Sequence, residues 1–159
     1  MKLVKLDLTI KEQEISIEED TEIVGYFLGY GNSHLSTSIK VIHTRPELKS
    51  LTRIKAVVFD NSVFDMSGTL IINKGAKNTD AYLRLDALMM SRNSKARVVP
   101  GLEIFESDVK GGHGATVGRV NIEQLIYLKS RGLTQEKAEE LIVAGFLKDI
   151  VNKFNDSKP

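Results

Sequence analysis

A mainly β body that gives way to a carboxy-terminal helical hairpin is the fold class this sequence predicts, and three observations predict it. Short apolar or alternating runs succeed one another as far as residue 120, and clusters of turn-forming residues separate them. At Asn121 the apolar period then lengthens abruptly from that of a strand to that of a helix. Periodicity by itself leaves the body open between a sandwich, a barrel and a β-solenoid. At 159 residues, 42% hydrophobic and 27% charged, the chain has the size and composition of one folded domain with at most a small appended subdomain.

From Leu3 to Ile17 apolar residues tend to alternate with polar ones, at Leu6, Leu8 and Ile10 and again at Ile15 and Ile17, which is the period of a half-buried strand. The runs "EIVGYFLG", "SIKVIHT", "IKAVVFD", "GTLIIN", "DALMMS" and "GLEIFES" read as further strands, broken at "YGN", "TRPE", "DNS", "NKGA", "RNS" and "VPG". "TLIIN", "ALMMS" and "LEIF" recur at solenoid-like spacing, without a strict repeat.

"NIEQLIYLKSRG" then reads as a helix, with Asn121 as N-cap, Gln124 three residues on, Ile122, Leu125 and Ile126 on one face and Gly132 as the stop. A second helix starts at Thr134, with Glu136 in a first turn where the helix dipole favours negative charge. Ala138, Leu141, Ile142, Phe146, Ile150 and Phe154 lie at helical spacing, and Val143, Leu147 and Val151 widen the stripe beyond what one neighbour usually requires. The expected division is a β body over 1–119, a helical subdomain over 120–154 and a frayed tail over 155–159.

Composition excludes several classes of function. A net charge of +1 with no Lys/Arg block argues against nucleic acid. No run of 18 apolar residues and no signal-type leader occur, so the expectation is a cytoplasmic protein without a membrane partner. Without cysteine the chain has no disulfide and offers no thiolate to a soft metal.

The stretch "VKGGHGATVGRV", Val109 to Val120, has three readings. As a dinucleotide loop it fails, because Gly112 and Gly114 fit the first two glycine places but Val117 holds the third, and no βαβ alternation surrounds it. As a metal site it is short of ligands, since His113 is near Asp108 while His34 and His43 are remote in sequence. The third reading, which composition favours, is a tight corner where glycines permit positive φ as the last strand turns into the hairpin. Ser91, Ser107 and Ser130 lack a nucleophile-elbow context, so the residues supply no catalytic constellation and the expectation is a protein that is not an enzyme.

The stretch from Leu102 to Leu147, with its H-G-A-T-V-G and Y-L-x-S-R-G runs, resembles the carboxy-terminal part of the SufB/SufD family of SUF-system iron-sulfur cluster assembly proteins, and SufD more than SufB. Upstream, "NKGAKNTDAYLRLDALMMSRNSKARVVPGLEIF" and more loosely "HLSTSIKVIHTRPEL" extend the likeness over about Glu22 to Phe154. The resemblance implies a right-handed parallel β-helix followed by a helical subdomain. It also implies a scaffold role in which the helices dock the ABC-type ATPase SufC and the β-helix pairs with a SufB/SufD-type subunit or a second copy. Tyr127, Arg131, Phe146 and Leu147 are the partner-facing residues it suggests; packing on the β body explains the wide stripe equally well. His113 matches the family's interface histidine and is the one metal ligand expected, in a site shared between subunits. The SufD-like cysteine falls at Gly111 and the SufB-like one near Ile104, and both thiols are absent. The chain alone is therefore expected to hold no cofactor stably, and at most to share an iron-sulfur cluster. The alternative is a structural homodimeric module of the same fold without cluster chemistry. The long amino-terminal region of typical members is not in this sequence.

Overall fold

The computed structural model describes residues 1–156. The chain winds as a parallel β-solenoid of about four turns, followed by two helices. Its strands are β1 (Lys2–Lys5), β2 (Glu12–Ile17), β3 (Thr21–Gly29), β4 (His34–His43), β5 (Lys49–Val58), β6 (Val63–Ile72), β7 (Asp80–Met89), β8 (Lys95–Ile104) and β9 (Lys110–Arg119). Odd strands form one sheet in the order β1-β3-β5-β7-β9 and even strands the other, β2-β4-β6-β8. Every pairing is parallel, and successive turns stack in register, as Lys49 beside Asp80 and Asp80 beside Lys110 show.

Alternation along each strand sends every second side chain between the sheets. Ile23, Ile39, Val41, Ile54, Phe64, Met66, Leu70, Leu83 and Leu85 build that interior, with Phe64 stacked on Phe27 at 5.7 Å between ring centroids. Fully burying one such side chain contributes about 1.5–3 kcal/mol, so the core is cumulative from turn to turn. One corner repeats: Ser33, Ser62 and Ser94 each donate their amide to the carbonyl three residues back, at Tyr30, Phe59 and Ser91. The Ser62 and Ser94 hydroxyls close onto those same carbonyls, which lets them be fully buried.

The alternating run read over Leu3–Ile17 is two short strands rather than one. Asp7 interrupts it, because its Oδ1 accepts both the amide and the hydroxyl of Thr9 and so folds a turn. Leu6 and Leu8 drop into the core at that turn and cover this end of the solenoid, beside Gly25, where a Cβ would lie 3.2 Å from Leu8 Cδ2. "VPG" is no turn: Pro100 lies inside β8, an edge strand, and edge strands tolerate its missing amide hydrogen.

Helix α1 (Ile122–Ser130) starts at Asn121, whose side chain accepts the amides of Glu123 and Gln124. Gly132, at φ +93°, ends the turn that follows it. Helix α2 (Gln135–Asn155) is capped by the Thr134 hydroxyl, which accepts the amide of Lys137, and it runs through Asn155 to a cap at Asp156. Of the tail expected over 155–159, residues 157–159 lie outside the described residues. Asn121→Ala and Thr134→Ala are each expected to lower stability by about 1 kcal/mol in urea unfolding, with faster amide exchange confined to the helix concerned.

Helix α2 lies antiparallel to β3 and β5 on the outer face of the odd-strand sheet. Lys153 pairs with Glu22 at 3.1 Å, Asp149 with Arg53 at 3.0 Å and with Lys55 at 2.7 Å, and Arg53 with Glu22. Burial opposes ionisation of Glu22 and Asp149, yet the lysines and arginine beside them overcome it and hold both carboxyls below their ordinary values. Beneath this ionic clasp a second apolar cluster joins Val57, Met90 and Val120 of the body to Leu125, Ala138 and Leu147 of the hairpin.

Candidate functional site

The glycine-rich stretch is neither a corner nor a loop but β9 itself, paired with β7 along its whole length. None of its glycines has positive φ; among the described residues those are Gly31, Gly75 and Gly132. The corner reading is therefore corrected, and the physical reason for the glycines is close approach. A Cβ at Gly112 would lie 2.9 Å from the Tyr82 ring, and one at Gly114 2.8 Å from both the Tyr82 hydroxyl and an Arg84 guanidinium nitrogen. Bare backbone lets these two side chains of β7 lie across β9. Arg84 is anchored there by Asp86, at 2.9 Å, and by the Thr116 hydroxyl, at 2.6 Å.

β8 and β9 are the last strands of their sheets, so the interior lies open beyond them. His113 continues the inward column Val4, Ile23, Thr52, Leu83, but no further turn covers it and it is exposed. Val117 and Ile104, also inward by register, are 42% and 41% exposed where their counterparts one turn back, Ala87 and Ile72, are buried. Ile104 reaches Gly111 at this mouth: a Cβ there would lie 2.8 Å from Ile104 Cδ1. The structure thus gathers Ile104, Gly111 and His113 in one place. The outer edge of β9 is unpaired, and between Lys110 and Arg119 it carries no formal charge unless His113 is protonated.

The other histidines stay apart. His43 is fully buried in the core, with Nε2 2.8 Å from the Ser50 hydroxyl, and burial pushes its pKa down to about 4. His34 begins β4 on the exposed surface. No group of three or more His, Cys, Asp or Glu that could hold a metal occurs among the described residues. The mouth offers a single imidazole and no thiolate, which does not fit an iron-sulfur cluster held by this chain alone.

A family profile described as "SUF system FeS cluster assembly, SufBD core domain" matches residues 4–146. The chain belongs to the SufBD family. Among its relatives in that family, an iron-sulfur cluster assembly SufBD family protein of Mycobacterium tuberculosis is 33% identical over 132 residues, covering 83% of this chain and 16% of the relative. Another, from Mycobacterium leprae, is 32% identical over 142 residues, covering 84% of this chain and 36% of the relative. The chain therefore spans between about a sixth and about a third of the length of these SufBD proteins.

The structure divides the four residues suggested as partner-facing in this SufBD chain. Tyr127 is 55% exposed on α1 and Arg131 lies over its ring at 5.4 Å, so this pair faces solvent. Leu147 is buried in the cluster between hairpin and body. Phe146 is half-buried in that cluster, its carbonyl accepting from Lys55 Nζ, which also sits over its ring at 5.0 Å. Packing on the body thus accounts for both, and for most of the wide stripe. What remains uncovered is Ile122, Ile126 and Leu141, exposed by 61%, 62% and 55%. Sequence periodicity put Ile122 and Ile126 on the buried face with Leu125; only Leu125 is buried. The side of α1 that packs is the one shared by Leu125 and Leu128, both in the cluster with the body. No helix among the described residues is long and apolar enough to cross a membrane.

Proposed function

We propose that this chain is a non-catalytic scaffold component of SUF iron-sulfur cluster assembly, docking an ABC-type ATPase through its helical hairpin and pairing with a SufB/SufD-type subunit, or with a second copy, through the β8–β9 mouth. The observation that carries the reading is the family match over residues 4–146. The mouth supports it as well: a bare strand edge and interior apolar positions left exposed make a surface that another sheet completes. On the helices, Ile122, Ile126 and Tyr127 supply an uncovered apolar patch of the kind that marks a partner contact. Any cluster is cargo here, and His113 is the one residue this chain brings to it, as a single ligand completed by a partner's thiolates.

Light scattering of the chain mixed with the SufC-type ATPase of its own organism tests the docking. A stable complex at micromolar concentration is expected, and Ile122→Glu with Ile126→Glu should weaken it at least tenfold while leaving the circular dichroism unchanged. A chain that ignores the ATPase overturns that part of the reading.

The absence of both thiols, with Ile104 and Gly111 at the mouth, favours one second reading, a structural homodimeric module without cluster chemistry. Reconstitution with iron and sulfide beside the other subunits separates the two. Loss of bound iron on His113→Ala supports the scaffold; equal iron in both proteins supports the structural module.

A further inference from the structure

The corner that carries the repeated turns also carries an apolar column, made by the residue just past each of β3, β5, β7 and β9. Tyr30, Phe59, Met90 and Val120 occupy it in order, tied by the bonds from Phe59 N to Gly29 O, Met90 N to Val58 O and Val120 N to Met89 O. The hairpin buries Val120 and Met90, half-buries Phe59 and leaves Tyr30 57% exposed. Tyr30 and Phe59 are stacked at 4.8 Å with their planes 9° apart, an aromatic platform fixed by the ladder beneath it. The first turns of α2 pass above it and form a cleft of about 430 Å³. On its helical wall Val143 and Ala144 supply the apolar part, beside Glu136, Glu139 and Glu140. The three glutamates lie at three- and four-residue spacing and so share one face of α2.

We propose that this cleft docks an arginine-bearing segment of a partner protein, the guanidinium seated against the Tyr30–Phe59 platform and facing the three glutamates. The charge decides the occupant. An apolar side chain in the cleft strips water from carboxylates and gives nothing back, whereas a guanidinium stacks on an aromatic face and donates hydrogen bonds to the carboxylates. Local pairing leaves the site negative: Glu140 meets Lys137 at 2.9 Å and Glu139 accepts from the neutral Gln135, so among the cleft's three carboxylates one is paired with a cation. The cleft is open to solvent on the Tyr30 side, so it admits a side chain whose backbone stays outside. The inference stands on the cleft alone and does not depend on the ATPase reading.

The test is an NMR titration of the whole chain with a capped Arg-Gly-Arg peptide and with the same peptide carrying citrulline, which keeps the shape and removes the charge. Saturable amide shifts are expected at Tyr30, Gly31, Phe59 and Glu136 to Ala144 with arginine only. Glu136→Gln with Glu140→Gln, and separately Tyr30→Leu, should each weaken binding about threefold, the size of one exposed cation–π or ionic contact. All three changes fall on the surface, and an unchanged spectrum elsewhere verifies the fold. Equal response to citrulline, or unaltered binding by the variants, overturns the proposal. So do the same shifts on raising protein concentration without peptide, since the occupant is then a second copy.

Discussion

Lowering the pH from 7 to 5 is expected to remove about 2 kcal/mol of stability through His43 alone. The imidazole is fully buried, and burial holds its pKa at about 4 against an ordinary 6.5. As the pH falls through 6.5 the unfolded chain takes up a proton that the folded chain refuses, so stability declines down to about pH 4 and then levels. The whole window is worth on the order of 3 kcal/mol, at about 1.4 kcal/mol per pH unit. Glu22 and Asp149 act in a separate range: their carboxyls are held low, so the stability they contribute is present above their ordinary values and is lost as the pH falls through the depressed ones. Urea unfolding at half-unit pH intervals checks this. His43→Gln, which keeps a partner for the Ser50 hydroxyl, should flatten the profile between pH 6.5 and 4.5; a slope shared by wild type and variant refutes the assignment.

Placing two lysines in the mouth, by Ala115→Lys and Val117→Lys, is expected to abolish the subunit pairing proposed above. Both residues point along interior columns, yet both are exposed because β9 is the last strand of its sheet. A partner that completes the sheet must cover them, and covering two unpaired ammonium groups costs several kcal/mol. The isolated fold covers neither, so circular dichroism and thermal midpoint should stay close to wild type. Light scattering then reads the outcome directly: a shift to the monomer mass is the expected result, and an undiminished pair moves the interface elsewhere.

The two helices were legible to the residue at their starts because capping is local chemistry, with Asn121 and Thr134 each satisfying amides two or three residues on. β3 was legible almost whole as "EIVGYFLG", but β4 to β8 only in their second halves. "IKAVVFD" marks the end of β5 but not its start at Lys49, because the first residues put Ser50 and Thr52 into the core and Arg53 outside. Hydropathy cannot see a buried hydroxyl. β9 was invisible as a strand, since glycine is depleted in strands and its reason here lies on β7, in Tyr82 and Arg84. A repeat was present but short: Asn32-Ser33, Asn61-Ser62 and Asn93-Ser94 are the same corner in three successive turns. At the mouth, His113 was singled out by resemblance, while the approach of Ile104 to Gly111, two residues before it, brings together two sheets and could not be read from spacing.

The two ends of the solenoid differ, and that difference bears on the pairing proposed above. At the first end Leu6 and Leu8 are tucked in, β1 has four residues, and Lys2, Lys5, Lys11, Glu12 and Glu14 crowd the edge with charge. At the other end lies the bare, glycine-rich edge of β9. Head-to-tail stacking needs both ends to be receptive, and a charged, plugged end refuses the strand that an open end offers. In the pairing proposed above, a second copy is therefore met open end to open end, an isologous contact that uses up both edges. Pairing of that kind stops at two, whereas head-to-tail stacking would build a filament.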